Sequence, residues 1–242
     1  MAAESFPHLI DDNDKIALVD GDDNHSYGEV NARIDRFATG LLNGQADLQE
    51  ERIAFFMPAS LDYVTTMHGV WRAGGIAVPL NVASAVAELD HYLSSASVTR
   101  MIANDEYQES LRELCASLNI ELMSVADVLV GEAGALPNLE PDRRAMMLFT
   151  SGTTNKPKGV VSTHKTLHAQ ITTLIEAWAW SEDDIIPLFL PLHHIHGIVN
   201  ILSCGLWAGA TVHLFAKFDI PKITDQVIAG TYNVFMAVPT IY

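Results

Sequence analysis

The segment Leu148–Gly159, with the sequence LFTSGTTNKPKG, places hydroxyl residues, a glycine and two lysines directly after an apolar run. The apolar run, Ala145–Phe149, predicts a buried strand. Glycine lets the backbone approach a ligand closely, and hydroxyl groups together with successive backbone N–H groups can surround an anion. Lys156 and Lys158 add positive charge to the same loop. The segment therefore predicts a loop that binds a polyphosphate at the end of a strand.

The spacing of glycine and lysine in this loop differs from that in two familiar nucleotide-binding motifs. A Walker A loop requires serine or threonine directly after its lysine, whereas Lys158 is followed by Gly159. The Rossmann pattern G-x-G-x-x-G is absent from the sequence. A solvated turn rich in serine and threonine is the alternative interpretation of such a composition. The order of the residues, rather than their composition, separates these alternatives.

The order of residues from Thr150 to Gly159 resembles the phosphate-binding signature of the adenylate-forming enzymes, Thr-Ser-Gly-Thr-Thr-Gly-x-Pro-Lys-Gly. This superfamily comprises the acyl-CoA synthetases, luciferases and peptide-synthetase adenylation domains. The chain departs from the signature at Asn155, and asparagine tolerates the left-handed backbone better than other non-glycine residues. Lys156 occupies a variable position and is expected to be a solvated charge. The resemblance implies that the phosphates of ATP, with Mg²⁺, are held by Thr150, Ser151, Gly152, Thr153, Thr154 and Lys158.

A second motif, Leu190–Gly197 with the sequence LPLHHIHG, contains three histidines, His193, His194 and His196. A transition-metal site would need suitable geometry and usually further cysteine, histidine or carboxylate ligands. Histidines that are hydrogen-bonded at a strand end are a second interpretation. A substrate pocket is a third, because α/β folds bind ligands in the loops that follow the carboxyl ends of strands.

The resemblance sharpens the interpretation of this motif. Adenylate-forming enzymes carry a Leu-Pro-x-x-His-x-x-Gly element that lines the pocket for the carboxylate substrate, and His194 matches its histidine. His196 falls where malonate-type ligases carry histidine, and a protonated histidine donates a charge-assisted hydrogen bond to a second carboxylate. Together with Trp178–Ile185 and Asn233–Tyr242, the motif resembles the malonyl-CoA synthetase branch. No catalytic residue and no metal ligand is assigned from the sequence.

Composition excludes several other functions. The chain has 242 residues, of which 49% are hydrophobic, and a formal net charge of −16, which argues against nucleic acid and anionic membranes as partners. Cys115 and Cys204 lie among apolar residues without a C-x-x-C partner, so neither a disulfide framework nor a zinc site is expected. The longest apolar stretch, Gly197–Ala210, is too short to span a bilayer.

With no signal-peptide pattern at the N-terminus, a cytoplasmic location is expected.

Apolar runs alternate with segments of helical periodicity along most of the chain. This alternation predicts an α/β fold with parallel-rich β-sheets flanked by helices. A segment rich in proline, glycine and acidic residues, 131–142, predicts a linker between a first α/β subdomain, 1–130, and a second, 143–242, which carries the phosphate loop. Strands are predicted at Arg52–Met57, Ile76–Leu80, Arg100–Ala103, Ile120–Val125, Ala145–Phe149, Ile185–Leu190, Thr211–Phe215 and Asn233–Val238, and helices at Leu61–Ala73, Val86–Ser95, Glu109–Leu118, Lys165–Trp180, Ile198–Trp207 and Ile220–Ala229.

The resemblance covers essentially the whole chain and implies the N-terminal portion of an acid–CoA ligase. Such an enzyme activates a small carboxylic acid, here malonate, with ATP to an acyl adenylate and transfers the acyl group to coenzyme A. The C-terminal domain of the family is absent from the sequence, so we expect the missing portion to be a partner and the chain alone to be inactive. Two alternatives stay open: a ligase for a fatty or aryl acid, and a silent fragment that acts only as a binding module. The oligomeric state also stays open.

Overall fold

The computed structural model describes residues 9–10, 14–129, 131–150 and 156–241. Within these ranges the chain forms strands, α-helices and one π-helical segment. The strands are β1 (Ile16–Asp20), β2 (Asp23–Ser26), β3 (Arg52–Phe56), β4 (Ile76–Pro79), β5 (Arg100–Ala103), β6 (Glu121–Met123), β7 (Arg144–Thr150), β8 (Lys158–Thr163), β9 (Ile185–Leu188) and β10 (Thr211–Leu214). The helices are α1 (Tyr27–Leu42), α2 (Leu61–Arg72), α3 (Val86–Ala96), α4 (Asp105–Ser117), α5 (Val125–Val128), α6 (His164–Trp178), α7 (Cys204–Ala208) and α8 (Ile220–Ile228), and the π-helical segment is His196–Ser203.

The chain divides into two compact units, and each unit carries one sheet. The first unit comprises Met1–Asn31, Pro58–Leu61 and Leu167–Tyr242, and the second comprises Ala32–Met57 and Asp62–Thr166. The first unit carries a sheet with the strand order β2-β1-β10-β9. In it β1, β10 and β9 run parallel, while β2 returns antiparallel to β1. The parallel strands therefore bring their carboxyl ends to one edge of this sheet.

The second unit carries a larger sheet with the strand order β6-β5-β3-β4-β7-β8. The neighbours from β6 to β7 are parallel, and β8 pairs antiparallel with β7. Strands β4 and β5 are buried along their whole length, as expected for parallel strands that are covered on both faces. One core cluster of this unit joins β3, β4, β5, β7, α3 and α4 through Ala54, Phe56, Ile76, Val78, Leu89, Leu93, Met101, Leu111, Cys115 and Met147, among others.

Arginines at the amino ends of the strands in the second unit are paired with acidic residues. Arg100, at the start of β5, donates to both carboxylate oxygens of Glu51 at 2.9 and 2.5 Å and to the Leu41 carbonyl at 2.7 Å. Arg143 donates to Asp47 and to the Gly74 carbonyl. Burial raises the pKa of Glu51, but the hydrogen bonds from Arg100 and Thr99 lower it overall. These arginines therefore stabilise the sheet. They lie at the amino ends of its strands, whereas the predicted phosphate loop follows the carboxyl end of β7.

The predicted fold class is confirmed, and most predicted elements lie within a few residues of the observed ones. The pattern of the sequence did not indicate β1, β2, α1, α5 or β8. Strands β2 and β8 lack a buried apolar face, since their residues are exposed or only partly buried. Among the described residues no helix combines the length and the apolar character that are needed to cross a bilayer.

The prediction of a strand at Asn233–Val238 is wrong, because this segment forms no strand. The backbone N–H of Ile185 donates to the side-chain oxygen of Asn233 at 2.7 Å, so an amide side chain takes the place of a ladder partner. The backbone contact between Val234 N–H and the Ile185 carbonyl is long, at 3.4 Å. A polar side chain in this segment therefore competes with strand pairing.

The compact units divide the chain differently from the boundary that the sequence predicts. Segment 131–142 lies inside the second unit, and the first unit gathers its residues from three separate stretches of the chain. Contacts between sequence-distant strands produce this division, since β1 pairs with β10. The subdomains 1–130 and 143–242 with a linker at 131–142 stay a prediction.

We expect Arg100→Met to destabilise the chain by about 2–3 kcal/mol, because it leaves the partly buried Glu51 without its charged hydrogen-bond donors. The matched control is Arg112→Met, whose pair with Glu109 is exposed by 68% and 88%. An exposed pair of this kind contributes about 0–1 kcal/mol. Urea unfolding of both variants checks the difference, and equal losses would contradict the role of the buried pair.

Candidate functional site

Thr150 and Lys158, two of the predicted phosphate ligands, are direct partners in the pairing of β7 with β8. Thr150 is the last residue of β7 and Lys158 is the first residue of β8. Directly opposed residues of an antiparallel pair project from the same face of the sheet. The hydroxyl of Thr150 and the ammonium of Lys158 therefore lie on one face, and both residues are exposed.

The remaining predicted phosphate ligands, Ser151, Gly152, Thr153 and Thr154, lie outside the described residues, as does Asn155. The described structure gives their flanks: the chain leaves β7 at Thr150 and enters β8 at Lys158. The predicted phosphate loop therefore connects two antiparallel strands, whereas the sequence alone indicated a strand only before it.

Gly159 leaves room for the side chain of Met147 beside the pair β7–β8. It is the partner of Phe149, and an added Cβ at Gly159 would lie 2.8 Å from the Met147 sulfur and 3.5 Å from the Phe149 ring. A side chain at this position would displace Met147, which belongs to the core of the second unit. The last glycine of the phosphate-loop motif thus has a packing function that the sequence did not reveal.

His193, His194 and His196 follow the carboxyl end of β9, at the edge of the sheet in the first unit. His193 is half-buried, and its ring centroid lies 4.1 Å from that of His194. His194 is exposed, while His196 is the first residue of the π-helical segment. The structure therefore places the predicted substrate-binding residues, His194 and His196, directly after a strand end of the kind where α/β folds bind ligands, and the ring contact that it shows is between His194 and His193.

Gly197 allows the π-helical segment to begin directly against the preceding loop. An added Cβ at Gly197 would lie 2.7 Å from the Pro191 carbonyl oxygen and 3.1 Å from the Leu190 carbonyl oxygen. Backbone atoms cannot move aside as a flexible side chain can, so this position requires glycine. The hydroxyl of Ser203 donates to the Ile198 carbonyl, five residues earlier, at 2.7 Å. π-Helical turns are rare and occur frequently at functional sites.

Burial, together with the neighbouring His194, lowers the pKa of His193 from its ordinary value to about 4. His193 is therefore neutral in the folded chain at pH 7 and would not attract an anion by charge. Among the described residues no group of three histidine, cysteine, aspartate or glutamate side chains is arranged to hold a metal ion.

The stability of the chain should fall as the pH is lowered from about 6.5 to about 4.5. His193 and the buried His164 both have a pKa lowered to about 4, so in this window the unfolded chain binds protons that the folded chain does not. His193→Asn removes one of these groups, and its urea unfolding midpoint should decrease less over the same window. An equal decrease in the variant and the wild type would contradict the assigned pKa.

Comparisons with known proteins agree with the motifs. The profile of the family described as AMP-binding enzyme matches residues 11–242. The mitochondrial malonate–CoA ligase of Homo sapiens is 37% identical over 257 residues, which covers 100% of this chain and 44% of that protein. The malonate–CoA ligase of Arabidopsis thaliana is 28% identical over 95% of this chain and 44% of its own length.

A solved structure supports the fold as well. The crystal structure of ATP-bound MatB from Rhodopseudomonas palustris matches with a TM-score of 0.88 and 28% identity, over 96% of this chain and 48% of that chain. The chain therefore spans less than half the length of these relatives. The family match includes both the hairpin at Thr150 and the histidine loop. The resemblance that the motifs indicated is confirmed, and the chain belongs to the family of AMP-binding enzymes.

Proposed function

We propose that this chain is the ATP- and acid-binding portion of an AMP-forming acid–CoA ligase, and that its acid is malonate. The observation that carries the first part is the pairing of Thr150 with Lys158, which places a hydroxyl-bearing and an ammonium-bearing side chain on one face of the hairpin, at the two ends of the predicted phosphate loop. Within the described residues no carboxylate forms an ion pair with Lys158. Its charge therefore stays available for a phosphate group.

The proposed reaction has two steps. A carboxylate oxygen of the acid attacks the α-phosphorus of ATP, forming an acyl adenylate and releasing pyrophosphate. The thiolate of coenzyme A then attacks the acyl carbon and releases AMP. Catalysis of phosphoryl chemistry depends mostly on positioning and charge neutralisation. This chain is accordingly proposed to hold the β- and γ-phosphates of ATP. The proposed ligands are Thr150, Ser151, Gly152, Thr153, Thr154 and Lys158.

Mg²⁺ is proposed to bind together with ATP. No group of three potential ligands among histidine, cysteine, aspartate and glutamate converges in the described ranges. Mg²⁺ usually keeps several waters and binds through one or two carboxylates together with substrate phosphates. We therefore expect the phosphates of the bound nucleotide to hold the ion.

Malonate is proposed because of the histidine loop and the relatives. His194 and His196 stand at the start of a continuous helical segment, where backbone N–H groups favour an anion. A second histidine suits an acid that carries a second carboxylate. Relatives that match 95–100% of this chain are named malonate–CoA ligases. A fatty or aryl acid is the competing substrate class, and it predicts no special role for His196.

The partner and the cellular location belong to the same proposal. The relatives continue beyond the part that this chain matches, so a C-terminal portion of the enzyme is the proposed partner for coenzyme A transfer. A cytoplasmic location stays a prediction, while the relative from Homo sapiens is named mitochondrial.

Lys158→Met should weaken the binding of Mg²⁺–ATP to the chain by about 10- to 100-fold, as expected for the loss of one charge-assisted hydrogen bond. The matched control is Lys156→Met, which removes an exposed lysine two residues away and should change the affinity little. Isothermal titration calorimetry measures both. Equal effects of the two substitutions would contradict the assignment of Lys158 and favour a general electrostatic attraction.

His196→Ala should weaken the binding of malonate more than the binding of acetate, because only malonate carries a second carboxylate for the imidazole. Titration of each acid in the presence of ATP, followed by the NMR signals of the histidine rings, measures both affinities. ATP–pyrophosphate exchange with malonate, methylmalonate, acetate and a medium-chain acid tests adenylate formation directly, and we expect no exchange from this chain alone with any of these acids. Equal losses for malonate and acetate would remove malonate as the proposed acid and leave the ATP site standing.

A further inference from the structure

Helix α3 contacts the hairpin directly after the predicted phosphate loop, through His91. The Nε2 atom of His91 lies 2.9 Å from the carbonyl oxygen of Pro157. A carbonyl oxygen only accepts hydrogen bonds, so Nε2 carries a proton and donates. Pro157 directly precedes Lys158, and this hydrogen bond therefore holds the backbone at the entrance to β8.

The neighbouring residue on α3, Tyr92, contacts the hairpin on the other side of the loop. Its ring lies against Phe149, with the centroids 4.5 Å apart and the planes inclined by 33°. The His91 ring also approaches Phe149, at 6.5 Å. Phe149 directly precedes Thr150. Two consecutive residues of one helix thus contact the chain on both sides of the predicted phosphate loop. The residues that they contact, Phe149 and Pro157, directly precede the predicted phosphate ligands Thr150 and Lys158.

The helix approaches the hairpin from the face opposite to that of Thr150 and Lys158. Side chains alternate between the faces of a strand, so Phe149 and Met147 project away from the face of Thr150. Phe149 and Met147 belong to or pack against the core cluster that includes Leu89 and Leu93 of α3. α3 can therefore hold the hairpin while the side chains of Thr150 and Lys158 stay free for a ligand.

The structure assigns to His91 the role of a positioning residue for phosphate binding: by holding Pro157, it sets the place of Lys158 opposite Thr150. Tyr92 supports the same arrangement through Phe149. This inference rests on the proposed function, since Thr150 and Lys158 are the predicted phosphate ligands there. His91 itself does not touch the nucleotide, and it acts through the backbone at Pro157.

The hydrogen bond of His91 borders a cleft of about 510 Å³ that is lined by Glu88, Asp90, His91, Tyr92, Lys156 and Pro157, among others. Since His91 is only partly buried, water can replace a lost donor at the Pro157 carbonyl. Removing the imidazole should therefore leave the fold intact and release the start of β8. If His91 instead contributed to core packing, its removal would lower the stability of the whole chain.

The first test compares the affinity of the chain for Mg²⁺–ATP in three variants. His91→Leu removes the donor, His91→Gln places an amide N–H near the position of Nε2, and Ser94→Ala changes an exposed residue on the same helix. We expect about five- to tenfold weaker binding for His91→Leu, the range for one neutral hydrogen bond. His91→Gln and Ser94→Ala should stay within about twofold of the wild type. Unchanged affinity in His91→Leu would overturn the inference.

The second test uses hydrogen exchange, which does not depend on the nucleotide. Backbone amides of Phe149 and of Gly159–Val161 should exchange faster in His91→Leu than in the wild type, with recovery in His91→Gln. The urea midpoint should be the same in all three variants. Unchanged exchange in His91→Leu would overturn the inference, and so would a large loss of stability that His91→Gln does not restore, because it would show a merely structural role.

The two tests also separate this inference from the proposed function. If the wild-type chain does not bind Mg²⁺–ATP while His91→Leu speeds the exchange of Gly159–Val161, the proposed function fails and the positioning of Lys158 by His91 stands. If the wild-type chain binds Mg²⁺–ATP while His91→Leu changes neither affinity nor exchange, the proposed function stands and the inference fails.

Discussion

The pairing of Thr150 with Lys158 is the interaction on which the candidate phosphate site depends. It joins the last residue of β7 to the first residue of the edge strand β8. Because opposed residues share a face, this register decides that the hydroxyl and the ammonium point to the same side. A shift by one residue would move Lys158 to the opposite face. The absence of a side chain at Gly159 leaves room for the side chain of Met147 on the opposite face of the hairpin.

In the second unit, some positive charges are neutralised in ion pairs that stabilise the fold, whereas others remain available to bind a ligand. Arg100, Arg143 and Arg144 are all paired with glutamate or aspartate, and the hydrogen bonds from the latter two lower the pKa of Asp47 and Glu50. These pairs lie at the amino ends of the strands, whereas Lys158 lies beyond the carboxyl end of β7. In a chain with a net charge of −16, an anionic ligand requires local positive groups that are not already neutralised. The hairpin supplies such groups.

The histidine loop of the first unit depends on a different constraint, the lack of room for a Cβ at Gly197, where it would lie 2.7 Å from the Pro191 carbonyl oxygen. Glycine at this position lets the helical segment that begins at His196 lie against the preceding loop. Burial then distinguishes His193 from His194, since His193 is neutral and partly buried while His194 is exposed. Residues that are adjacent in sequence thus acquire separate chemical properties from their packing.

The family, the fold class and the two candidate motifs follow from the sequence, because strand and helix periodicity and the order of residues in Thr150–Gly159 are local properties of the chain. Three further features depend on contacts between distant residues, and only the tertiary structure decided them. Strand β8 has no apolar periodicity of its own and exists through its pairing with β7. The segment Asn233–Val238 has the pattern of a strand, but the side chain of Asn233 takes the ladder position. The role of His91 at Pro157, 66 residues away, arises where α3 packs against the hairpin, and no local pattern records that contact.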